Sequence, residues 1–440
     1  MMRKKTVLFL GIGLVTLVAC GKEPTAPDPD MVTVTGTVRN MTDSSAVSEA
    51  NITIYDANTN APVTRTLTDT GGFYHLSVEA GAYYIKMAAQ GYIPSPPPGG
   101  APVPFQADAA VDTTITNIFL KVDASASSTG SLSGTVALAD ETGISGFLII
   151  ATHSSGSQVM STTSGPDGFY VLYNLLPGLH TIKCLRAGYK QTTTPIQFTV
   201  YADSSVKLAD IAIEIIQGAR LSGQITFLAS PNATVDITLI DPDSREAIPG
   251  LYTFNNGTSY ALDSIPPGTF LAWATYQNDG YVMDPDWIAK NGLPYVTFSE
   301  SDLSQTRDFS VTDAIIINSP TNEADSIYPV EINTTTPSFS WTDYPQPKEY
   351  IIEVRNRNGE RIWGGYDANG TILHPQIGKD DSPVLFDFDG SAIEPLRDGG
   401  IYQWKIYGDD SADPNIQTLL SSSEDQLGLF KVVLDTSANP

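Results

Sequence analysis

Four histidines and two cysteines are the residues of this chain best suited to nucleophilic, acid–base or metal chemistry. His75, His153, His180 and His374 stand far apart, and none is spaced with a glutamate or a second histidine as in His-Glu-x-x-His. That spacing excludes a zinc peptidase. Cys184 alternates with Ile182 on a strand pattern, which reads as a small buried hydrophobe rather than a nucleophile. In Gly130-Ser131-Leu132-Ser133-Gly134 a leucine holds the place where a hydrolase elbow needs its serine. The acid pairs Asp284/Asp286, Asp380/Asp381, Asp387/Asp389 and Asp409/Asp410 lack the regular oxygen spacing and closing acid of a calcium loop. In the nearest approach, Asp387-Phe388-Asp389-Gly390-Ser391, the glycine comes too early. These acids read as solvated turn residues, as do Asp69 and Asp167. No catalytic residue, metal or cofactor is expected.

Two tryptophans are the candidate ligand contacts. Trp287 lies in Asp284-Pro285-Asp286-Trp287-Ile288, an insertion with no counterpart in the earlier repeats described below, and Trp363 follows a predicted hairpin. Either ring could stack on a sugar, offering broad apolar contact with a polar rim. Either could instead close a core, the reading that composition favours.

The remaining chemistry concerns anchoring. Arg3, Lys4 and Lys5 precede an apolar run from Val7 to Ala19 that is too short to span a bilayer, which takes about 20 apolar residues. A basic start, a short apolar middle and small residues at its end make a secretory signal. Leu17-Val18-Ala19-Cys20 resembles the lipobox of bacterial lipoproteins, in which the cysteine thiol is lipidated and becomes the first mature residue. The resemblance implies residues 1–20 as a signal and Cys20 as a membrane anchor, and Gly21, rather than an aspartate, favours the outer membrane. Residues 21–30 hold three prolines and no large apolar side chain, so a flexible tether is expected there. With Cys20 lipidated, no internal disulfide can form.

Acidic residues outnumber basic ones 49 to 24, and processing at Cys20 would remove three of the cations. Such a chain is repelled by nucleic acid and by anionic lipid surfaces.

The elements that carry these residues repeat at a period near ninety. An opening strand reads Thr35-Gly36-Thr37-Val38, Ser133-Gly134-Thr135-Val136 and Ser222-Gly223-Gln224-Ile225. Turns follow at Asp69-Thr70-Gly71-Gly72-Phe73-Tyr74, at Pro166-Asp167-Gly168-Phe169-Tyr170 and, more weakly, at Asn255-Asn256-Gly257-Thr258-Ser259-Tyr260. Gly81, Pro177-Gly178 and Pro267-Gly268 open further strands, and each unit reaches Gly91-Tyr92, Gly188-Tyr189 or Gly280-Tyr281. Gly36 to Gly72 is 36 residues, and the two later intervals are 34. Ile85, Met87, Ile182 and Cys184 should face inward and the intervening lysines outward, as in half-buried antiparallel strands. Pro94 to Pro104 reads as a projecting loop.

These positions resemble the carboxypeptidase regulatory-like domain, a prealbumin-like β-sandwich with an early Ser/Thr-Gly-x-Val strand, an Asp-x-x-Gly-x-Phe turn, a Pro-Gly strand and a closing Gly-Tyr. The resemblance implies a structural or recognition module without peptidase activity, at residues 31–122, 129–214 and, more divergently, 216–312. Residues 314–435 differ: Phe339 and Trp341, then Tyr350 to Val354, Leu396, Tyr402 with Trp404, and Phe430 resemble a fibronectin type III sandwich, with Trp341 in the core.

The expected protein is all-β: tandem β-sandwich domains, each folding alone, on a lipid anchor. Its expected function is non-catalytic, as a structural or adhesion module of the cell surface. The alternative is capture of carbohydrate.

Overall fold

The computed structural model describes residues 31–434 apart from 98–101, 111–112, 140–141, 194, 209, 229–233, 275–279, 324–326, 346, 367–371, 374, 411–418 and 424–427. The signal, Cys20, the tether and His374 lie outside the described residues. The protein is all-β, in tandem β-sandwiches, with one short helix, α1 (Pro285–Asn291), among the described residues.

Among the described residues the first sandwich has seven strands: β1 (Met31–Asn40), β2 (Asn51–Asp56), β3 (Pro62–Leu67), β4 (Phe73–Glu79), β5 (Gly81–Ala88), β6 (Val103–Ala107) and β7 (Thr113–Leu120). They form two sheets, ordered β4-β1-β7 and β3-β2-β5-β6. Along β1 every second residue from Val32 to Asn40 is buried, the period of a strand with one face on a core. β7 runs parallel to β1 and closes the first sheet. The second unit repeats the pattern, with Gly130–Ala137 between Phe169–Leu175 and a parallel Ile211–Ile215. The third does so with Ala219–Phe227 between Ser259–Ile265 and Phe309–Asp313.

The repeated glycine has a packing reason. Gly36 faces Tyr74, Gly134 faces Tyr170 and Gly223 faces Tyr260 across the antiparallel ladder, and all three tyrosines are buried. A Cβ on Gly134 would stand 2.7 Å from the Tyr170 hydroxyl, and one on Gly223 equally close to the Tyr260 ring. The missing side chain is what lets the ring lie across the strand. Tyr260 therefore holds the place of Tyr74 and Tyr170, and Ser259 that of Phe73 and Phe169. Ile85, Met87, Ile182 and Cys184 are buried, while Lys86 is exposed. The expected loop to Pro104 is corrected: Val103–Ala107 is an edge strand on β5, where Pro104 faces Tyr84 and a missing N–H is tolerated.

The fourth unit pairs Ile317–Ser319, Ser338–Trp341 and Val384–Leu385 in one sheet. The other is ordered Val330–Ile332, Leu429–Val432, Ile401–Asp409, Glu349–Asn356, Arg361–Gly364. Its core is aromatic: Phe339 lies 4.9 Å from Trp404, 6.0 Å from Trp363 and 5.9 Å from Phe430, with Trp341 5.2 Å from Tyr350.

The units are not independent beads. Leu148, Ile150 and Leu185, on the outer face of the second unit, belong to the same apolar cluster as Ile237, Leu251 and Phe270 of the third. The second unit's inner core, around Ile149, Tyr170 and Ile182, is separate. The first and fourth units also touch: Lys121 pairs with Glu360, and the Tyr328 hydroxyl donates to the Phe105 carbonyl at 3.0 Å.

Candidate functional site

The repeated Gly-Tyr pairs sit at the joints between units. The Gly91 N–H donates to Asn174 Oδ1 of the second unit at 2.7 Å, and Asn174 Nδ2 donates to the Tyr92 carbonyl at 2.8 Å. At the next joint the Gly188 N–H donates to the Ser264 carbonyl of the third unit at 2.7 Å. Asn174 and Ser264 hold the same register place beyond Tyr170 and Tyr260, and both have left-handed backbones, φ 59° and 65°. Asparagine tolerates that region and serine does so at a cost, so the joint is built into the chain conformation.

Charge reinforces each joint differently. Arg65 on β3 forms a bidentate pair with Asp167 of the second unit, Nε to Oδ1 at 2.9 Å and Nη2 to Oδ2 at 2.6 Å, and its guanidinium lies 3.9 Å above the Phe169 ring. The hydrogen bonds from Arg65 hold Asp167 below the usual carboxylate range. Asp167, read from sequence as a turn acid alone, is thus a cross-unit partner. Beside it the Tyr173 hydroxyl donates to the Glu49 carbonyl at 2.8 Å. At the second joint Lys183 pairs with Asp241 and Asp243 of the third unit. Asp241 is held by the Ser244 N–H at 2.9 Å and the Ser244 hydroxyl at 3.0 Å. A cleft of about 740 Å³ opens near this joint, lined in part by Gln217, Asp263 and Ser299. Its charges are paired, Lys190 with Glu214 and Glu300 and Arg220 with Asp263.

The sequence candidates fall elsewhere. Trp363 is fully buried: it stacks edge-on to Phe386 at 5.2 Å, and its Nε1 donates to Asp389 Oδ1 at 3.0 Å. It offers no face to a ligand, because its indole closes the fourth core and its N–H is spent on Asp389. Burial works against the Asp389 carboxylate, but hydrogen bonds from Ser391 and Trp363 outweigh it and hold its pKa low. Asp387 accepts the Ala392 N–H at 2.8 Å, so both acids of that run serve the turn. Trp287 lies on α1, half-buried and packed on the third core, far in the chain from Trp363. Asp284 caps α1 by accepting the Asp286 N–H at 3.1 Å, and burial pushes its pKa up. Among the described residues no three histidine, cysteine, aspartate or glutamate side chains gather as a metal site. Cys184 is buried, which drives its thiol pKa well up and leaves it unreactive.

Two features were missed from sequence. His153 and His180 face each other across neighbouring strands, with ring centroids 4.9 Å apart and His180 also stacked on Phe198. On the third unit, Tyr252 and Trp273 both face Thr238, with Phe254 and Tyr295 nearby on the same sheet. The alternation in Tyr252-Thr253-Phe254 was a legible sign of this aromatic face.

The carboxypeptidase regulatory-like domain model matches residues 131–214, the second unit. No curated protein matches the chain in sequence. Among solved structures, the chain is similar to the Bacillus anthracis TIE protein, with 14% identity over 64% of this chain and a TM-score of 0.19. It spans about half, 51%, of that protein's length. A Streptococcal ancillary pilin aligns over 64% of this chain and 99% of its own, at 11% identity and a TM-score of 0.19. BcpA, the major pilin subunit of Bacillus cereus, aligns over 64% and 100%, at 11% identity and a TM-score of 0.18.

Proposed function

We propose that this protein is a non-catalytic, lipid-anchored surface lipoprotein whose jointed sandwiches serve as a structural or adhesion module. The carrying observation is where the repeated motif residues go: Gly91 and Gly188, with their partners Asn174 and Ser264, are spent on hydrogen bonds that join one unit to the next. In this reading Cys20 carries the acyl chains, residues 21–30 are the tether, and the outer membrane is the site. The fourth unit is fibronectin type III-like, a reading supported by Tyr402, whose hydroxyl accepts the Arg397 N–H at 2.9 Å as in the tyrosine corner of such sandwiches. Cell fractionation with lipid labelling tests the anchor. C20S should lose the label and leave the membrane, since two or more acyl chains hold a protein there and an acidic body does not; equal membrane retention would refute it.

Carbohydrate capture is the second reading, favoured by Phe254 and Tyr295, which are 41% and 45% exposed on the third unit. Retention on immobilised polysaccharide should then fall in a Phe254→Ala/Tyr295→Ala variant with unchanged melting. A ligand stacked on Trp287 would show instead as a loss in W287A alone.

A further inference from the structure

The turn that leads into β4 recurs in the second unit with the same backbone. Asp69 N–H bonds the Phe73 carbonyl as Gly165 N–H bonds that of Phe169, and Gly72 N–H bonds the Asp69 carbonyl as Gly168 N–H bonds that of Gly165. The acids stand at different places in the two turns, yet their side chains converge. Asp69 Oδ1 accepts the Phe73 N–H at 2.9 Å, and Asp167 Oδ1 accepts the Phe169 N–H at 3.2 Å. Each turn thus sets a carboxylate on the backbone N–H of the equivalent phenylalanine.

In the second unit that carboxylate and ring receive Arg65, bidentate on the acid and over the ring face. The third unit has neither group, since Asn256, Gly257 and Ser259 fill the turn. The strand facing it has no arginine either. Arg65 stands opposite Thr53, and the corresponding residue, opposite Ile150, is Ser161. Of the two units that carry the acid-and-ring turn, the second holds Arg65 in it and the first holds no arginine among the described residues. There Phe73 is 44% exposed, and Asp69 makes no ion pair among the described residues.

We propose that the Asp69–Phe73 turn is a docking socket for an arginine presented on an exposed β-strand of a separate, basic polypeptide. Asp69 Oδ1 is engaged by backbone N–H groups, which leaves Oδ2 and the Phe73 face for a guanidinium. A planar guanidinium can bond Oδ2 and lie over the ring at once, which a compact lysine ammonium cannot do. The net charge of −25 favours a cationic partner and speeds its encounter.

The test uses the soluble chain from Met31 and a blocked peptide of residues 63–67, Val-Thr-Arg-Thr-Leu, the strand that fills the second socket. Saturation-transfer NMR should show saturable binding that weakens roughly tenfold in D69N, about the loss of one charge-assisted pair. Asparagine keeps the oxygen that accepts the Gly71 and Phe73 N–H groups, so the turn survives that change. F73A and a peptide with lysine in place of arginine should also weaken binding, and R65A, which vacates the second socket, should bind two peptides. Peptide binding that is absent, unchanged by D69N, or seen only in R65A overturns the proposal. Sedimentation closes the other route: self-association of the wild type that D69N abolishes would make the occupant a second copy and overturn a separate partner.

Discussion

Cutting the chain after the second unit should cost that unit most of its stability. In a fragment of residues 130–215, Leu148, Ile150 and Leu185 lose the third unit against which they are buried, at 4%, 0% and 8% exposure. Fully burying such a side chain contributes roughly 1.5–3 kcal/mol, so the three together supply roughly 5–9 kcal/mol. That figure is an upper bound, because unfolded chains already hide some apolar surface. It still rivals the whole stability of an ordinary domain, about 5–15 kcal/mol. The fragment also loses the Gly188 and Lys183 contacts to Ser264, Asp241 and Asp243. The expected outcome, by calorimetry and near-UV circular dichroism, is a weak or non-cooperative melt for 130–215 and one sharp transition for 130–313. Ile150→Ala should lower that transition as a whole, by roughly 2–5 kcal/mol of stability. A 130–215 fragment that melts cooperatively within a few degrees of the longer one would refute the shared core.

Three further outcomes follow from particular residues. Burial, then the neighbouring His153, lower the His180 pKa, with the Gly178 carbonyl acting the other way. The unfolded state then binds the proton more readily, so stability is intact above the unfolded value near 6.5 and falls as pH drops through it. Melting temperatures at pH 7.5 and 5.5 should differ less in H180Q than in the wild type, and equal differences would refute this. Trp363→Ala should destabilise the fourth unit by roughly 3–5 kcal/mol, and half-buried Trp287→Ala by less, as read by denaturant melts. If the order is reversed, the two burial assignments are wrong. A zero-length carbodiimide should link Lys121 to Glu360 within one chain, detectable by peptide mass spectrometry and lost in E360Q; its absence would mean that the first and fourth units stand apart in solution.

Much of each unit was legible because strand structure is written locally. Alternation along Ile182 and Cys184, and the turn chemistry around Gly72 and Gly168, follow from a period of two and from positive φ at glycine. The strand glycines were visible as a repeat, though their reason, the tyrosine ring lying over Gly134 and Gly223, needed the register between strands. Outside these local patterns the sequence said less. The favoured core reading of Trp363 holds and its stacking alternative does not, while nothing local marked Asp167 as more than a turn residue or set Leu148 and Ile150 apart as contacts to the next unit.

The amino-acid sequence by itself determined the all-β class, the three repeats and the inward face of their strands, because each rests on residues a few positions apart. Only the tertiary structure decided what the outward faces do. Arg65 meets Asp167 across 102 residues, and Lys121 meets Glu360 across 239. Which outward side chain is buried, paired or left open depends on how one sandwich is set against another, and no local period encodes that placement.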